Sequence, residues 1–274
     1  MSHNIRIFVL VCTIDEGITS VKNLFLPEET GVTYVVAWQR THALPSPDFQ
    51  RTDVVLATME GRGLSRNRNL AMRTAVSLLQ DPLEDAIFVV ADDDEKLDAA
   101  AFHHLRTAYA QRPRMDIALM RVRSINDQLY FKPYPQKETD FRHRPRYYYP
   151  CSWEITFRSR VWHTGLRFDE RFGLGSDELC AGEEDIFLTD ALRRGLRIQI
   201  LPIDLGWTDP VTTGDRTLDT LVLKSKGAVY GYSLSLPWAF VRTAREALSL
   251  AFRNRVSPFR LFRDIWQGVK YIRQ

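Results

Sequence analysis

The chain opens on an apolar run at residues 5–12 broken only by Arg6, and further short runs rich in β-branched residues follow at 33–37, 53–58 and 87–91. Runs of this length bounded by polar segments predict buried strands. Residues 65–80 carry Leu70, Ala71, Ala75, Leu78 and Leu79 at helical spacing, with Ser65 in N-cap position and an Asp-Pro stop, and predict a helix. A second helix is predicted over 183–194, closed by Gly195. Strands alternating with helices predict an α/β fold with a mostly parallel central sheet flanked by helices. Residues 130–150, rich in Pro, Arg and Tyr, keep no period and predict a long loop. Beyond Gly214 the pattern turns helical, with stretches at 238–252 and 259–272 parted by a Ser-Pro break. The expected organisation is therefore an α/β domain over 1–214 and a helical extension over 215–274.

Composition changes this picture little. With 45% hydrophobic and 26% charged residues among 274, the chain is ordinary globular material. Cys12, Cys151 and Cys180 are odd in number and form no Cys-x-x-Cys pair, which argues against a zinc site or a disulfide framework and favours a reducing, cytoplasmic compartment. The apolar start contains Arg6 and lacks a small-residue cleavage site, so it reads as a strand rather than a signal peptide. No apolar run approaches the roughly 18–20 residues that span a bilayer. Charge is more informative. Residues 224–273 hold ten Lys and Arg against Glu246 and Asp264, a balance of +8, whereas the total is +3 and the remainder therefore −5. An acidic body with a basic tail fits a metal site in the first and an anionic surface for the second.

Three constellations carry chemistry. The strand at 87–91 runs directly into Asp92, Asp93, Asp94 and Glu95, at the sheet edge where open α/β folds bind ligands. Crowded carboxylates raise one another's pKa, and a hard cation completed by phosphate oxygens relieves them; an acidic turn capping a helix near Leu97 is the plainer alternative. Gly61 to Asn69 opens the first helix with Arg62, Arg66 and Arg68 and no acid before Asp81. Arginines there oppose the helix dipole, so either a diphosphate relieves them or they pair with distant acids. Gly182, Glu183, Glu184 and Asp185 open the later helix, serving the dipole or supplying a general base.

Together, Asp92-Asp93-Asp94 after a strand, Leu64-Ser65-Arg66-Asn67-Arg68-Asn69-Leu70-Ala71 upstream of it, and Phe168-Asp169-Glu170-Arg171-Phe172-Gly173-Leu174-Gly175 leading into Gly182-Glu183-Glu184 resemble a family 2 glycosyltransferase with the Rossmann-like GT-A fold, of the bacterial polysaccharide-biosynthesis type. The resemblance covers roughly residues 5–214. It implies inverting transfer from a nucleotide-diphosphate sugar to a glycan or lipid-linked acceptor. A Mn²⁺ or Mg²⁺ is implied at Asp92 and Asp94, with the donor held by Asp92, Asp93, Arg66, Arg68 and Asn69. The family's base aspartate matches Glu184, with Asp185 beside it. A His-Pro pair usual in related sequences is replaced by Asp209-Pro210, so Asp209 stands as a metal candidate. The family's turns after the first two strands are also altered, which leaves Thr13, Asp15 and Gln39 as candidates for the nucleobase. Two alternatives remain: a sugar-phosphate nucleotidyltransferase, or an inactive GT-A-like binding or scaffold protein.

Other features weigh less. His103 and His104 lack a third ligand at usable spacing. Tyr147, Tyr148, Tyr149 and Trp153 are either a stacking surface for an acceptor sugar or plain packing, and Glu154 lies in a stretch resembling the border of the acceptor site in related enzymes. The tail alternates Arg253, Arg255, Arg260, Arg263, Lys270 and Arg273 with Phe252, Phe259, Leu261, Phe262, Ile265, Trp266 and Ile272. That pattern suits peripheral binding to an anionic membrane through a C-terminal basic helix, or an ordinary packed helix. No nucleic-acid module is present, and nucleic acid is not an expected partner.

Overall fold

The four apolar runs become β1 (Ile7–Ile14), β2 (Val32–Arg40), β3 (Val54–Glu60) and β4 (Ile87–Asp92). The computed structural model describes residues 5–209 and 218–274, and the boundary expected at 214/215 lies outside them. These strands pair in parallel in the order β3-β2-β1-β4. Near-continuous burial of β1, β2 and β4 explains their unbroken Val and Ile content, since a strand covered on both faces has no polar side.

Five further strands complete the sheet among the described residues: β5 (Lys96–Leu97), β6 (Ile117–Ser124), β7 (Thr139–Asp140), β8 (Ile155–Arg158) and β9 (Ile198–Thr208). From β4 the order continues β8-β6-β9-β5, with β7 also on β9. The pairs β4–β8, β6–β8, β5–β9 and β7–β9 are antiparallel and β6–β9 is parallel, so this half of the sheet is mixed. The predicted 130–150 loop thus contributes a short strand.

The helices are α1 (Leu64–Ser77), α2 (Ala101–Gln111), α3 (Glu183–Arg193), α4 (Thr220–Ser233), α5 (Leu236–Asn254) and α6 (Pro258–Ile272). Phe102, Leu105 and Tyr109 of α2 join one core with the inward residues of β1, β2 and β4. Gly195 takes φ +76°, its N–H donating to Leu192 O, while the Leu196 N–H reaches Ala191 O; the predicted cap is therefore a left-handed turn. Ser65 does not cap α1, which already includes it; its hydroxyl donates to Phe172 O at 2.7 Å.

Two compact units divide the chain. One comprises Met1–Arg62, Arg66–Arg167 and Asp190–Pro210, and contains the whole sheet; the other comprises Gly63–Ser65, Phe168–Thr189 and Val211–Gln274. In the second, glycines let helices meet backbone to backbone. A Cβ on Gly227 would lie 1.7 Å from Ile265 O, and one on Gly268 would lie 1.8 Å from Lys224 O. Glycine inside a helix costs up to about 1 kcal/mol relative to alanine, and here that cost permits α4 and α6 to pack.

Candidate active site

Strand register assembles the first part of the site. Cys12 stands opposite Asp92, Thr13 opposite Trp38 and Ile14 opposite Gln39, so the carboxyl ends of β1, β2 and β4 form one edge. Asn67, buried near the start of α1, donates from Nδ2 to Thr13 O at 3.1 Å and to Ala37 O at 2.8 Å, which ties the helix to both strand ends. The Thr13 hydroxyl donates to Asp93 Oδ2. Gly17 is needed beside that bond, because a Cβ there would lie 2.2 Å from Asp93 Oδ2.

The acids after β4 have four different environments. Asp92 accepts from Arg68 Nη2 at 3.2 Å, and that arginine side chain is only 2% exposed. An external anion is one solution to the arginines opening α1; for Arg68 the structure supplies a carboxylate of the same chain. Asp93 is half-buried, and burial raises its carboxyl above the ordinary range. Asp94 is exposed at the surface, yet the partial burial of its carboxyl, followed by the charges of Asp92 and Asp93, pushes it up to about 6, and Asp209 adds to that repulsion. Glu95 is buried and accepts from the Asp92 N–H at 2.9 Å; burial and the Asp92 charge hold its carboxyl well above the usual range.

Asp209 follows β9, whose Trp207 and Gly206 pair with Lys96 and Leu97 just beyond the acidic run. Gly206 makes this possible, since a Cβ there would lie 2.0 Å from Lys96 O. Among the described residues no three Asp, Glu, His or Cys side chains converge closely enough to hold a metal by themselves. The donor set nevertheless fits a hard divalent cation completed by phosphate oxygens, because one or two carboxylates suffice for Mg²⁺-type binding and these are crowded enough to gain from it.

The remaining donor-side candidates lie at the ends of β1 and β2 and on α1. Gln39 is buried, with Nε2 3.9 Å from Met59 Sδ. Asp15 takes φ +47°, and its carboxylate accepts from the Thr41 N–H at 2.7 Å and the Thr41 hydroxyl at 2.8 Å. The backbone bond from Thr41 is the main cause that holds the Asp15 carboxyl low. Its carbonyl accepts from Trp38 Nε1 at 2.9 Å, so Asp15 fastens the turn after β1 to the end of β2. Arg66 is exposed, its guanidinium 3.4 Å from Arg62 O, and Asn69 is half-buried.

The candidate bases belong to the second unit. Glu183, Glu184 and Asp185 form the first turn of α3, Glu183 buried and the other two half-buried. Gly182 before them has φ +95°, and a Cβ there would lie 2.5 Å from Val229 Cγ2. Gly173, at φ +102°, would place a Cβ 3.3 Å from the Glu183 carboxyl carbon. These two glycines let the backbone pass close to the acidic turn and to Val229.

Glu154 has a different character from that expected at an acceptor border. It is fully buried, paired with Lys132 Nζ at 2.5 Å, and accepts from Tyr134 at 2.9 Å and Tyr148 at 2.5 Å. Lys132 also donates to Tyr149 O and contacts Cys151 Sγ at 3.4 Å. This network organises the 130–150 segment from beneath, leaving Tyr147 and Tyr149 about half exposed. No sequence spacing announces it, because its members meet only once the segment has folded.

The chain shares its architecture with solved structures of S. aureus TarS. The TarS 1-349 structure superposes with TM-score 0.58 at 14% identity over 98% of this chain and 83% of that one. TarS is a GT-A-type glycosyltransferase, and the likeness shows that this chain shares its GT-A fold. TarS 1-349 in complex with UDP-GlcNAc gives TM-score 0.57 at 14% identity, covering 98% and 84%. A longer TarS structure gives 0.56 at 16% identity, and this chain spans half of it. No family model matches the chain, and neither does any curated protein sequence.

Proposed function

We propose that the chain is a nucleotide-sugar-dependent glycosyltransferase that uses a divalent cation and inverts the anomeric centre. The observation that carries this reading is the acidic run after β4, where Asp94 is pushed up to about 6 by burial and by its neighbours. A cation shared with a diphosphate removes that repulsion. The fold shared with TarS, one structure of which is a complex with UDP-GlcNAc, supports a nucleotide-sugar donor.

Asp92 and Asp94 would hold the cation, with Asp209 as a further ligand. When bound, a Mn²⁺ or Mg²⁺ supplies positive charge that offsets the charge developing on the leaving diphosphate. Arg68 orients Asp92 through its hydrogen bond, Asp93 is set by Thr13, and Arg66 and Asn69 would line the phosphate side. Thr13, Asp15 and Gln39 border the nucleobase. The acceptor oxygen forms its bond to the anomeric carbon as the bond to the β-phosphate oxygen breaks, and the nucleoside diphosphate leaves with the electron pair. Glu184 takes the acceptor's proton, with Asp185 as the competing base. The acceptor is a glycan or lipid-linked glycan, and the basic C-terminal helices support peripheral attachment to an anionic membrane. No helix among the described residues is long and apolar enough to cross one.

Calorimetric titration with nucleoside diphosphates, with and without Mn²⁺, tests the donor reading, and absence of metal-dependent binding for every base overturns it. For the base, Glu184→Gln should lower turnover by about 10²–10⁴ with little change in donor affinity. That loss in Asp185→Asn instead moves the role by one residue.

A further inference from the structure

The tail's amphipathic pattern in the sequence fits either a membrane-facing helix or a packed one, and α6 turns much of its apolar face into the protein. Leu261, Ile265 and Val269 are buried, and Gly227 and Gly268 bring α4 against α6 at backbone distance. The unpartnered apolar face lies on α5. Ala239, Thr243, Ala247 and Leu250 are its buried side. At about 100° per residue, Trp238, Val241, Arg245, Leu248 and Phe252 fall on the opposite side in one stripe. Trp238 is 66% exposed, Leu248 62% and Phe252 92%, and Phe259 at the start of α6 is 86% exposed.

Charge selects the occupant of this face. Arg242, Arg245, Arg253, Arg255, Arg260, Arg263, Lys270 and Arg273 are all exposed on or beside α5 and α6. The two acids of the same stretch are withdrawn from solvent: Asp264 is buried against Arg260 and Arg263, and Glu246 pairs with Lys226 at 2.8 Å. A self-pairing protein face normally carries both signs, whereas apolar and aromatic side chains amid cations alone match an interface of anionic headgroups over acyl chains.

We propose that α5 is the membrane-docking element, with Trp238, Leu248, Phe252 and Phe259 entering an anionic lipid surface and Arg245 and Arg253 meeting its phosphates. This rests on the peripheral-membrane reading above and assigns it to a helix and a face. α6 then acts as the strut on which α5 rests, with Phe240 of α5 packed against Phe262 and Trp266 and with Ala247 and Leu250 joining Leu261 and Ile265 in one core.

Co-sedimentation of the full chain with vesicles of phosphatidylcholine and phosphatidylglycerol tests the assignment. The wild-type chain should pellet at low salt and release at high salt, and pure phosphatidylcholine should retain it at least tenfold less. The triple variant Trp238→Ser, Leu248→Ser, Phe252→Ser should lose at least tenfold in partitioning, with an unchanged melting temperature and unchanged nucleotide release from the donor in the absence of vesicles. Lys270→Gln with Arg273→Gln should lose no more than about threefold. Equal pelleting by wild type and triple variant overturns the α5 assignment and leaves the membrane reading standing. No pelleting by the wild type overturns both. A wild-type dimer by mass photometry that becomes monomeric in the triple variant overturns the lipid occupant in favour of a second copy.

Discussion

The chain gathers acid in two places, one buried and one running out to the surface at a sheet edge, and the contrast separates what holds the fold from what is poised to bind. Around Glu154 one carboxylate meets Lys132, Tyr134 and Tyr148, so each of its two oxygens has a donor. After β4, four consecutive acids share the single guanidinium of Arg68 and one threonine hydroxyl as side-chain donors among the bonds described above. Buried charge is tolerated when paired and hydrogen-bonded, and costly otherwise. The first cluster is closed. The second retains negative charge that its own residues do not neutralise, as a site requires if it is to be completed by a cation and a diphosphate.

The largest effect should come from opening the closed cluster. Glu154→Ala leaves Lys132 buried without its counter-charge, and breaking such a pair costs about 3–5 kcal/mol. Chemical denaturation should show that loss in the unfolding free energy. A change under 1 kcal/mol would remove the distinction between the clusters. Asp94→Asn should do the reverse, leaving the metal-free melting temperature unchanged or higher, since it deletes a repulsive charge. Mn²⁺-dependent turnover should fall on the order of 10²–10³, several kcal/mol of lost charge stabilisation. Full Mn²⁺-dependent turnover in that variant would take the cation away from this edge.

A smaller effect separates the clusters by pH. The folded Asp94 carboxyl titrates at about 6 against the ordinary 3.8, so the folded chain binds more protons than the unfolded chain between those values. Stability from this group is therefore present at low pH and lost as pH rises through about 4 to 6. A cation binds only the ionised form and restores it. The rise in melting temperature on adding Mn²⁺ with a nucleoside diphosphate should be several degrees at pH 7.5 and clearly smaller at pH 5, where about nine-tenths of this carboxyl is protonated. Equal shifts at the two pH values would contradict carboxylate ligation.

Much of the open cluster is legible in the sequence, because its parts are local: an apolar strand, the acids at its end, and glycines at turns. β1 to β4 can be read for the same reason, being short β-branched runs with polar ends. The partner of Asp92 is not legible, since Arg68 lies 24 residues away and only the register of β1 with β4 and the bonds of Asn67 bring it there. β9 hides because it contains Pro202, which disfavours a strand interior, and pairing with β6, β5 and β7 outweighs that. The Glu154 network is invisible for a stronger reason. Its members are spread from Lys132 to Glu154 through a segment without period, and their bonds depend on a fold that no local pattern specifies. The α6 stripe leaves two readings open in the sequence, because an amphipathic helix looks the same whether its apolar face meets lipid or α4.

The smallest effect concerns Glu95, the fourth acid of the run, and decides whether it belongs to the open cluster or only supports it. Its carboxyl is buried, accepts the Asp92 N–H at 2.9 Å, and is held well above the usual range by burial and then by the Asp92 charge. A neutral group can fill that role, because the bond needs only an acceptor oxygen at Oε1. Glu95→Gln should therefore change the unfolding free energy by no more than about 0.5 kcal/mol and leave Mn²⁺ affinity in the donor complex within about twofold. Glu95→Ala should cost about 1–3 kcal/mol, since the Asp92 N–H would be left unpaired at the edge of the sheet. It should also weaken Mn²⁺-dependent donor binding through the displaced Asp92 carboxylate. If Glu95→Gln loses Mn²⁺ affinity as severely as Asp94→Asn does, Glu95 is itself a ligand, and the open cluster extends one residue deeper than its hydrogen bonds indicate.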